Sequence, residues 1–314
     1  MFEFLRTRRR VLTVAAASAA AAFLVSCGGS DIDPPPLFAT MVTVGASLSD
    51  NGNVCPTLQT NCPYGPPYAS GRASNGPLWI DGVAAKYGAS AVPSLKGGTN
   101  FAYGGARTGT VPGVTTPASV PSLVLQVEQY LQTVGYVSKP ETLFILDASA
   151  AANNLADALT LALDPTKVVT AAVTDVAGLI LRLYASGIRH IGVLNVPNLG
   201  RTPRFQALGP TAVAGGTQLS ATFNGALAQQ IAILKANSPG LNVYIADIFV
   251  LNEQVAANPA AYGFTNVTQP CYNDAVKPPT TCANPAQYAY WDSFHPTEAT
   301  GKLMTDLMTK AIGR

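Results

Sequence analysis

Ser47, Asp292 and His295 are of the residue types that together perform nucleophilic catalysis. Ser47 lies in residues 45–53, directly after an apolar run, and the other two lie in residues 291–297 near the C-terminus. A carboxylate three residues before an imidazole can fix the tautomer of the ring and stabilise its charged form. The imidazole can then take a proton from a serine hydroxyl. The pattern therefore indicates a serine nucleophile, a histidine base and an orienting aspartate.

Each of these residues also has a purely structural interpretation. A serine on a turn between a strand and a helix most often caps the helix N-terminus. Asp292 and His295 could likewise form a capping cluster, because a predicted helix follows them. The second histidine, His190, begins a predicted buried strand with no carboxylate close in sequence, and we interpret it as structural. Two histidines are too few for a histidine-rich metal site, and we expect neither a metal nor an organic cofactor.

Two more segments could stabilise a developing negative charge. Gly104 and Gly105 follow an extended segment, where a glycine pair lets the backbone approach a ligand closely or forms an ordinary tight turn. Their spacing does not match a dinucleotide-binding fingerprint. Asn153 and Asn154 follow a predicted strand, where a side-chain amide could donate to an oxyanion or cap the next helix.

Strand-like and helix-like segments alternate along the chain from about residue 38. This alternation predicts an α/β fold, with helices on both faces of a parallel sheet and ligands beyond the carboxyl ends of the strands. The polar motifs follow predicted strands or lie in loops, as that arrangement requires. The predicted strands are residues 38–44, 142–147, 188–196 and 241–249. The predicted helices are residues 78–87, 120–134, 155–163, 168–185, 219–235 and 296–312, with Pro296 in the first turn of the last.

The N-terminal segment predicts export. Positive residues at 6–10 precede an apolar stretch over residues 11–25, whose length fits a signal peptide better than a membrane span. The stretch ends in Leu24-Val25-Ser26-Cys27, which resembles a bacterial lipobox and predicts lipidation of Cys27; the alternative is an ordinary secretory signal. Residues 7–12 also partly resemble a twin-arginine signal.

Composition and length limit the class of protein. Only 11% of the residues are charged and 48% are apolar, which excludes a disordered chain. The net charge is +2 with no long basic run after the N-terminal segment, so we expect no nucleic-acid partner. We expect a signal peptide over residues 1–26, a proline-rich tether over residues 27–37 and one domain over residues 38–314.

Four cysteines remain after Cys27, in two close pairs: Cys55 with Cys62, and Cys271 with Cys282. Neither pair has the C-x2-C spacing of a zinc site. In an oxidising compartment we expect two local disulfides, although four cysteines allow three connectivities. The long segments over residues 54–75 and 257–290, rich in proline, threonine and tyrosine, are expected to form loops around the mouth of the active site.

The motifs together resemble the SGNH, or GDSL, hydrolases. The shared residues, in the family's chain order, are Ser47, the Gly104–Gly105 pair, Asn153, and Asp292 with His295. Residues 49–53, 100–102, 195–203 and 291–297 are similar to longer blocks of the same family. The resemblance extends from about residue 40 to residue 310. Each motif is weak alone, but five in this order are specific.

The resemblance implies a three-layer α/β/α sandwich with a flavodoxin-like parallel sheet. Ser47 would be the nucleophile, His295 the general base and then acid, and Asp292 the residue that orients His295. The oxyanion hole would use the backbone N–H groups of Ser47 and Gly105 and the side-chain amide of Asn153. The implied activity is carboxylic-ester hydrolysis through an acyl-enzyme. The expected substrate is a lipid, an acylated carbohydrate or a short-chain ester, and the expected protein is an exported monomer that a lipid anchor attaches to the cell envelope.

Two departures from the family leave alternatives open. Ala46 stands where the family usually has an aspartate that helps to hold the nucleophile loop, and Ala151-Ala152-Asn153-Asn154 stands where it usually has Gly-x-Asn-Asp. Asn154 therefore remains an alternative to Asn153, as Gly104 does to Gly105. The alternative functions are acyl transfer by the same three residues, and surface binding by a catalytically weakened lipoprotein on the same fold.

Overall fold

The computed structural model describes residues 38–58, 62–111 and 113–313. The predicted signal peptide, Cys27 and the tether lie outside these ranges. The strands are β1 (Thr40–Val44), β2 (Thr142–Asp147), β3 (His190–Leu194), β4 (Asn242–Ala246), β5 (Asn266–Pro270), β6 (Tyr272–Asn273), β7 (Thr280–Thr281) and β8 (Tyr288–Tyr290). The helices are α1 (Val54–Leu58), α2 (Trp79–Lys86), α3 (Leu123–Thr133), α4 (Ala151–Thr160), α5 (Pro165–Ser186), α6 (Pro203–Ala207), α7 (Pro210–Asn237), α8 (Ile248–Ala257) and α9 (Glu298–Ile312).

Strands β1 to β4 form one parallel sheet in the order β1-β2-β3-β4. The register pairs Val44 with Leu146, and Leu146 with Val193. The carboxyl ends of neighbouring strands therefore lie at the same edge of the sheet. Every residue of β2 is buried, as expected of a central strand covered on both faces. Ser47 lies in the turn that follows β1 at this edge, and Asn153 lies at the start of α4, shortly after β2.

Helices cover both faces of the sheet, which confirms the predicted three-layer α/β/α architecture. On one face, α3, α4, α5 and α7 bury an apolar cluster that includes Leu155, Ile180 and Phe223. On the other face, α2, α8 and α9 bury a second cluster around Trp79 and Met304. Burial of this much apolar surface is the main favourable contribution to the stability of such a domain.

Helix α5 shows how local sequence sets the limits of an element. Asp164 accepts hydrogen bonds from the N–H groups of the first turn, Pro165 occupies the first helical position, and Gly187 ends the helix at φ 115°. In the described part of the chain, α5 is the one helix long and apolar enough to cross a membrane. Here it contacts α4 and α7, and its buried residues belong to the core.

Two predicted boundaries are wrong because side-chain caps override apolar periodicity. The strand expected over residues 241–249 ends at Ala246, because Asp247 accepts a hydrogen bond from the Val250 N–H and starts α8. Pro296 does not lie in the first turn of the last helix, because Thr297 is the N-cap of α9. Helix α7 also begins earlier than expected, at Pro210.

Both predicted disulfides are present, Cys55–Cys62 and Cys271–Cys282. The segment over residues 257–290 is not only loop. Its strand β5 pairs with β8, and β6 pairs with β7 in a short antiparallel ladder close to the second disulfide.

Candidate active site

Ser47, His295 and Asp292 form a continuous hydrogen-bonded chain. The Oγ of Ser47 lies 2.8 Å from Nε2 of His295, and Nδ1 of His295 lies 2.7 Å from Oδ2 of Asp292. The other carboxylate oxygen of Asp292 accepts the backbone N–H groups of Phe294 at 2.7 Å and His295 at 2.6 Å. These hydrogen bonds hold the carboxylate of Asp292 next to the imidazole of His295. This is the geometry that a serine nucleophile, a general base and an orienting carboxylate require.

The capping interpretations of these residues do not fit the structure. Ser47 lies on a tight turn in which the N–H groups of Ser49 and Asp50 donate to the carbonyl of Ala46. Helix α1 begins only at Val54, and the N–H of Val54 donates to Asp50 rather than to Ser47. The cap of α9 is Thr297, so neither Asp292 nor His295 caps that helix.

Asp292 stays charged over the working range of most enzymes. Burial alone would raise the pKa of its carboxyl, but the imidazole of His295 and the hydrogen bonds from His295 and Phe294 lower the pKa to about 2. A carboxylate that is ionised and 6% exposed can stabilise the imidazolium that forms when His295 takes the proton of Ser47.

Two tyrosines from the segment over residues 54–75 also contact this group, and neither was among the predicted site residues. The hydroxyl of Tyr68 donates to Oδ2 of Asp292 at 2.8 Å, the same oxygen that faces His295. The ring of Tyr64 lies edge-on to the His295 ring, with centroids 5.9 Å apart. Burial and the nearby charge of Asp292 raise the pKa of Tyr68, so its hydroxyl remains a donor. The sequence indicated these tyrosines only through the expectation that residues 54–75 form a loop around the mouth of the site.

The three residues expected to form an oxyanion hole, Ser47, Gly105 and Asn153, line one cleft. Among the described residues, no acceptor is hydrogen-bonded to the backbone N–H of Ser47 or of Gly105. The N–H of Gly104 is occupied, because it donates to Oδ2 of Asp50 at 2.7 Å. Gly105 has a φ of 82°, which a residue with a side chain adopts only with strain. Between the two glycines, the structure therefore leaves Gly105 able to donate to a ligand.

Asn153 lines the same cleft as Ser47, Gly105 and His295. Its Nδ2 donates to the carbonyl of Ala106 at 2.7 Å, which orients the amide and leaves its second hydrogen free. Asn154 is 1% exposed, and its amide is used by Thr108, with contacts of 3.2 and 3.0 Å.

Neither asparagine caps a helix, because α4 begins at Ala151 rather than at the expected residue 155, and its N-cap is Ala150. Both side chains therefore project from the first turns of α4.

The cleft in front of Ser47 has a volume of about 250 Å³. Both long segments contribute to its lining, with Tyr64 and Tyr68 from the first and Asp274 from the second. Arg204 and Phe294 complete the wall beside His295. A smaller apolar cavity of about 40 Å³ also has Phe294 in its lining.

The remaining histidine lies away from the cleft. His190 starts β3, at the opposite end of the strand from the cleft, where its Nδ1 lies 2.9 Å from the hydroxyl of Tyr244. Burial lowers the pKa of His190. In the ranges that the structure describes, no three His, Cys, Asp or Glu side chains cluster as metal ligands would.

The chain is similar in sequence to known proteins. A GDSL esterase/lipase of Arabidopsis thaliana is 27% identical over 330 residues, covering 86% of this chain and 88% of its own. A phosphatidylcholine-sterol acyltransferase of Aeromonas hydrophila is 26% identical over 283 residues, covering 89% of this chain and 79% of its own. The solved structure of phospholipase A1 from Streptomyces albidoflavus covers 87% of this chain and 99% of its own, at 14% identity and a TM-score of 0.34. The model of the GDSL-like lipase/acylhydrolase family matches residues 41–308, and the chain therefore belongs to that family.

Proposed function

We propose that the protein hydrolyses carboxylic esters through an acyl-enzyme on Ser47. The observation that supports this most directly is the hydrogen-bonded chain from Ser47 through His295 to Asp292. Family membership supports hydrolase or acyltransferase chemistry, and the choice of ester hydrolysis with these residue roles is ours.

In the proposed mechanism, Nε2 of His295 takes the hydroxyl proton while Oγ of Ser47 attacks the ester carbonyl. The imidazolium is stabilised by the carboxylate of Asp292, and the oxyanion accepts hydrogen bonds from the N–H groups of Ser47 and Gly105 and the amide of Asn153. His295 then protonates the leaving alcohol. Water, activated by the same imidazole, hydrolyses the acyl-enzyme and restores Ser47.

The dimensions of the cleft favour a small acyl group. Its volume of about 250 Å³ lies just below the roughly 300–1,000 Å³ of pockets that take drug-sized ligands. Its wall combines aromatic side chains with the charged Arg204 and Asp274. Among lipid esters, acylated carbohydrates and simple esters, we therefore expect acetyl to butyryl esters to react fastest.

A chain-length series of p-nitrophenyl esters tests the proposal on the wild type and on Ser47→Ala. We expect turnover by the wild type, fastest for two to four acyl carbons, and a loss of at least ~10⁴-fold in the variant, as for other serine nucleophiles. A circular dichroism spectrum of the variant identical to that of the wild type shows that the fold is retained. Turnover retained by Ser47→Ala would refute the assignment of the nucleophile.

Acyl transfer is the second candidate, because one relative is named as an acyltransferase. The same acyl-enzyme would then be attacked by an alcohol instead of water. Adding a primary alcohol to the ester assay separates the two activities. A new ester product formed faster than free acid indicates a transferase, and free acid as the main product indicates a hydrolase.

We also propose that the protein is exported and that lipid attached to Cys27 anchors it in the cell envelope. The two disulfides support an oxidising compartment, where such bonds persist. The anchor itself rests on the lipobox-like sequence before Cys27. Replacing Cys27 with alanine should move the protein from the membrane fraction to the soluble fraction of the expressing bacterium, and an unchanged distribution would contradict the anchor.

A further inference from the structure

Asp147 is a fully buried carboxylate to which the proposed mechanism gives no chemical role. It is the last residue of β2 and none of its surface is exposed. Among the described residues, no lysine, arginine or histidine forms an ion pair with it. Burial raises the pKa of Asp147, and the hydrogen bonds it accepts oppose that rise. An unpaired carboxylate in the core is costly unless several donors compensate it.

The donors to Asp147 come from two different segments. The hydroxyl of Ser49 donates to Oδ2 at 2.7 Å, and the backbone N–H of Ala46 contributes to lowering the pKa of the same carboxyl. The backbone N–H of Ser149 donates to Oδ1 at 3.0 Å, and the Ser149 hydroxyl donates to the same oxygen. Ala46 and Ser49 lie on either side of Ser47 in the nucleophile turn. Ser149 lies in a short 3-10 helix that leads directly into α4, which contains Asn153.

The nucleophile turn also packs tightly against this side chain. A Cβ atom added to Gly45 would lie 2.7 Å from both Cβ and Oδ2 of Asp147, closer than real Cβ atoms approach. The backbone at the end of β1 is therefore in direct contact with the carboxylate. If Asp147 moved, the turn that contains Ser47 would have to move with it.

We infer that Asp147 is a positioning residue that sets the distance between two oxyanion donors, the backbone N–H of Ser47 and the side-chain amide of Asn153. One carboxylate binds the turn of the first donor through Oδ2 and the segment leading to the second through Oδ1. This inference rests on the proposed ester hydrolysis.

The variant Asp147→Asn tests the inference, because it keeps the volume of the side chain but replaces one acceptor oxygen with a donor. We expect kcat to fall about 100-fold with KM nearly unchanged, comparable to the loss of one oxyanion donor. The matched control is Asp247→Asn. Asp247 also follows a strand and caps the next helix, but its contacts are Val250 and Asn195. We expect this control to retain the wild-type kcat.

A double-mutant cycle separates positioning from a general loss of stability. In the wild-type background, Asn153→Ala should lower kcat by roughly 100- to 1,000-fold. In the Asp147→Asn background, Asn153→Ala should lower kcat by less than about 10-fold. Asn153 is already misplaced in that background, and effects that share one cause are not additive. If Asp147→Asn does not fold, the cycle is run with Ser149→Ala, which removes one hydroxyl donor and keeps the carboxylate.

The inference would be overturned if Asp147→Asn retained the wild-type kcat, or if Asn153→Ala lowered kcat by the same factor in both backgrounds. Each protein is also treated with a fluorophosphonate probe, which reports the reactivity of Ser47 independently of the ester chosen. A wild type that neither reacts with the probe nor turns over any ester would instead overturn the proposed function, and this inference with it.

Discussion

Replacing Tyr68 with phenylalanine should move the acid limb of the pH–rate profile to higher pH. The Tyr68 hydroxyl donates to Oδ2 of Asp292, the oxygen that also faces Nδ1 of His295. This donation withdraws negative charge from the carboxylate. Without it, the carboxylate of Asp292 attracts the imidazolium more strongly, and the acid limb of the profile moves to higher pH. The base is then inactive over a wider acidic range.

The size of the shift follows from the number of donors to Asp292. Its carboxylate accepts four hydrogen bonds from protein groups, and the variant removes one. A hydrogen bond to a charged group is worth roughly 1.5–3 kcal/mol, and one pKa unit corresponds to about 1.4 kcal/mol. The pH–rate profile moves only by the part of this hydrogen-bond energy that differs between the neutral and the protonated imidazole. We therefore expect an upward shift of about half a unit to one unit, with kcat at the plateau reduced less than about 10-fold.

The assay measures kcat/KM for a short-chain ester from pH 4.5 to 9, in steps of about 0.5. Tyr184→Phe is the control, because it also removes one tyrosine hydroxyl bond, to the carbonyl of Pro239 outside the cleft. Asp274 and Arg204, the other charged groups of the cleft, are the same in all three proteins. An acid limb that does not move in Tyr68→Phe, or that moves to lower pH, would refute the reasoning.

Three further predictions concern the two asparagines, the disulfides and the carboxylate of Asp292. Asn153→Ala should lower kcat by roughly 100-fold or more while Asn154→Ala lowers it far less, and the reverse order in steady-state kinetics would assign the oxyanion contact to Asn154. Reducing Cys55–Cys62 and Cys271–Cys282 should lower the melting temperature by on the order of 10 °C, because each disulfide closes a short loop and contributes about 2–3 kcal/mol. Four reactive thiols from these cysteines in the unreduced protein would show that the disulfides are absent. The pKa of Asp292 is depressed on folding to about 2, so the stability it contributes is complete above about pH 4 and is lost as the pH falls toward 2. The difference in unfolding free energy between wild type and Asp292→Asn should narrow by about 2 kcal/mol over that range, and a constant difference in denaturant titrations would contradict it.

The fold class was predictable because apolar periodicity is a local property of the sequence and reveals the alternation of strands and helices along the chain. The strand over residues 142–147 was predicted at its observed limits, since it is an uninterrupted buried run. The prediction failed where one side chain ends an apolar run. Ile248 and Phe249 continue the apolar character of β4, but the cap formed by Asp247 turns them into the first residues of α8.

The site was predictable only as a set of residues, and not as a geometry. Chain order placed Ser47, Asp292 and His295 in one group, and the structure brings them within hydrogen-bond distance. The contact of Tyr68 with Asp292 joins residues 224 positions apart, and no local spacing reveals it. The choice of Gly105 over Gly104 depends on which N–H is already bonded, which is likewise a three-dimensional fact.

The departure at Ala46 is compatible with a well-held nucleophile turn. Gln126 binds the turn from α3, because its side-chain amide accepts the N–H of Gly45 and donates to the carbonyl of the same residue. From the other side, Asp147 accepts the hydroxyl of Ser49 and packs closely against Gly45. Ala46 itself is 3% exposed and packs in the apolar core, where an aspartate would place a second buried carboxylate near the first. The turn is therefore anchored without a carboxylate at residue 46, and this favours an active hydrolase over a silent surface-binding protein.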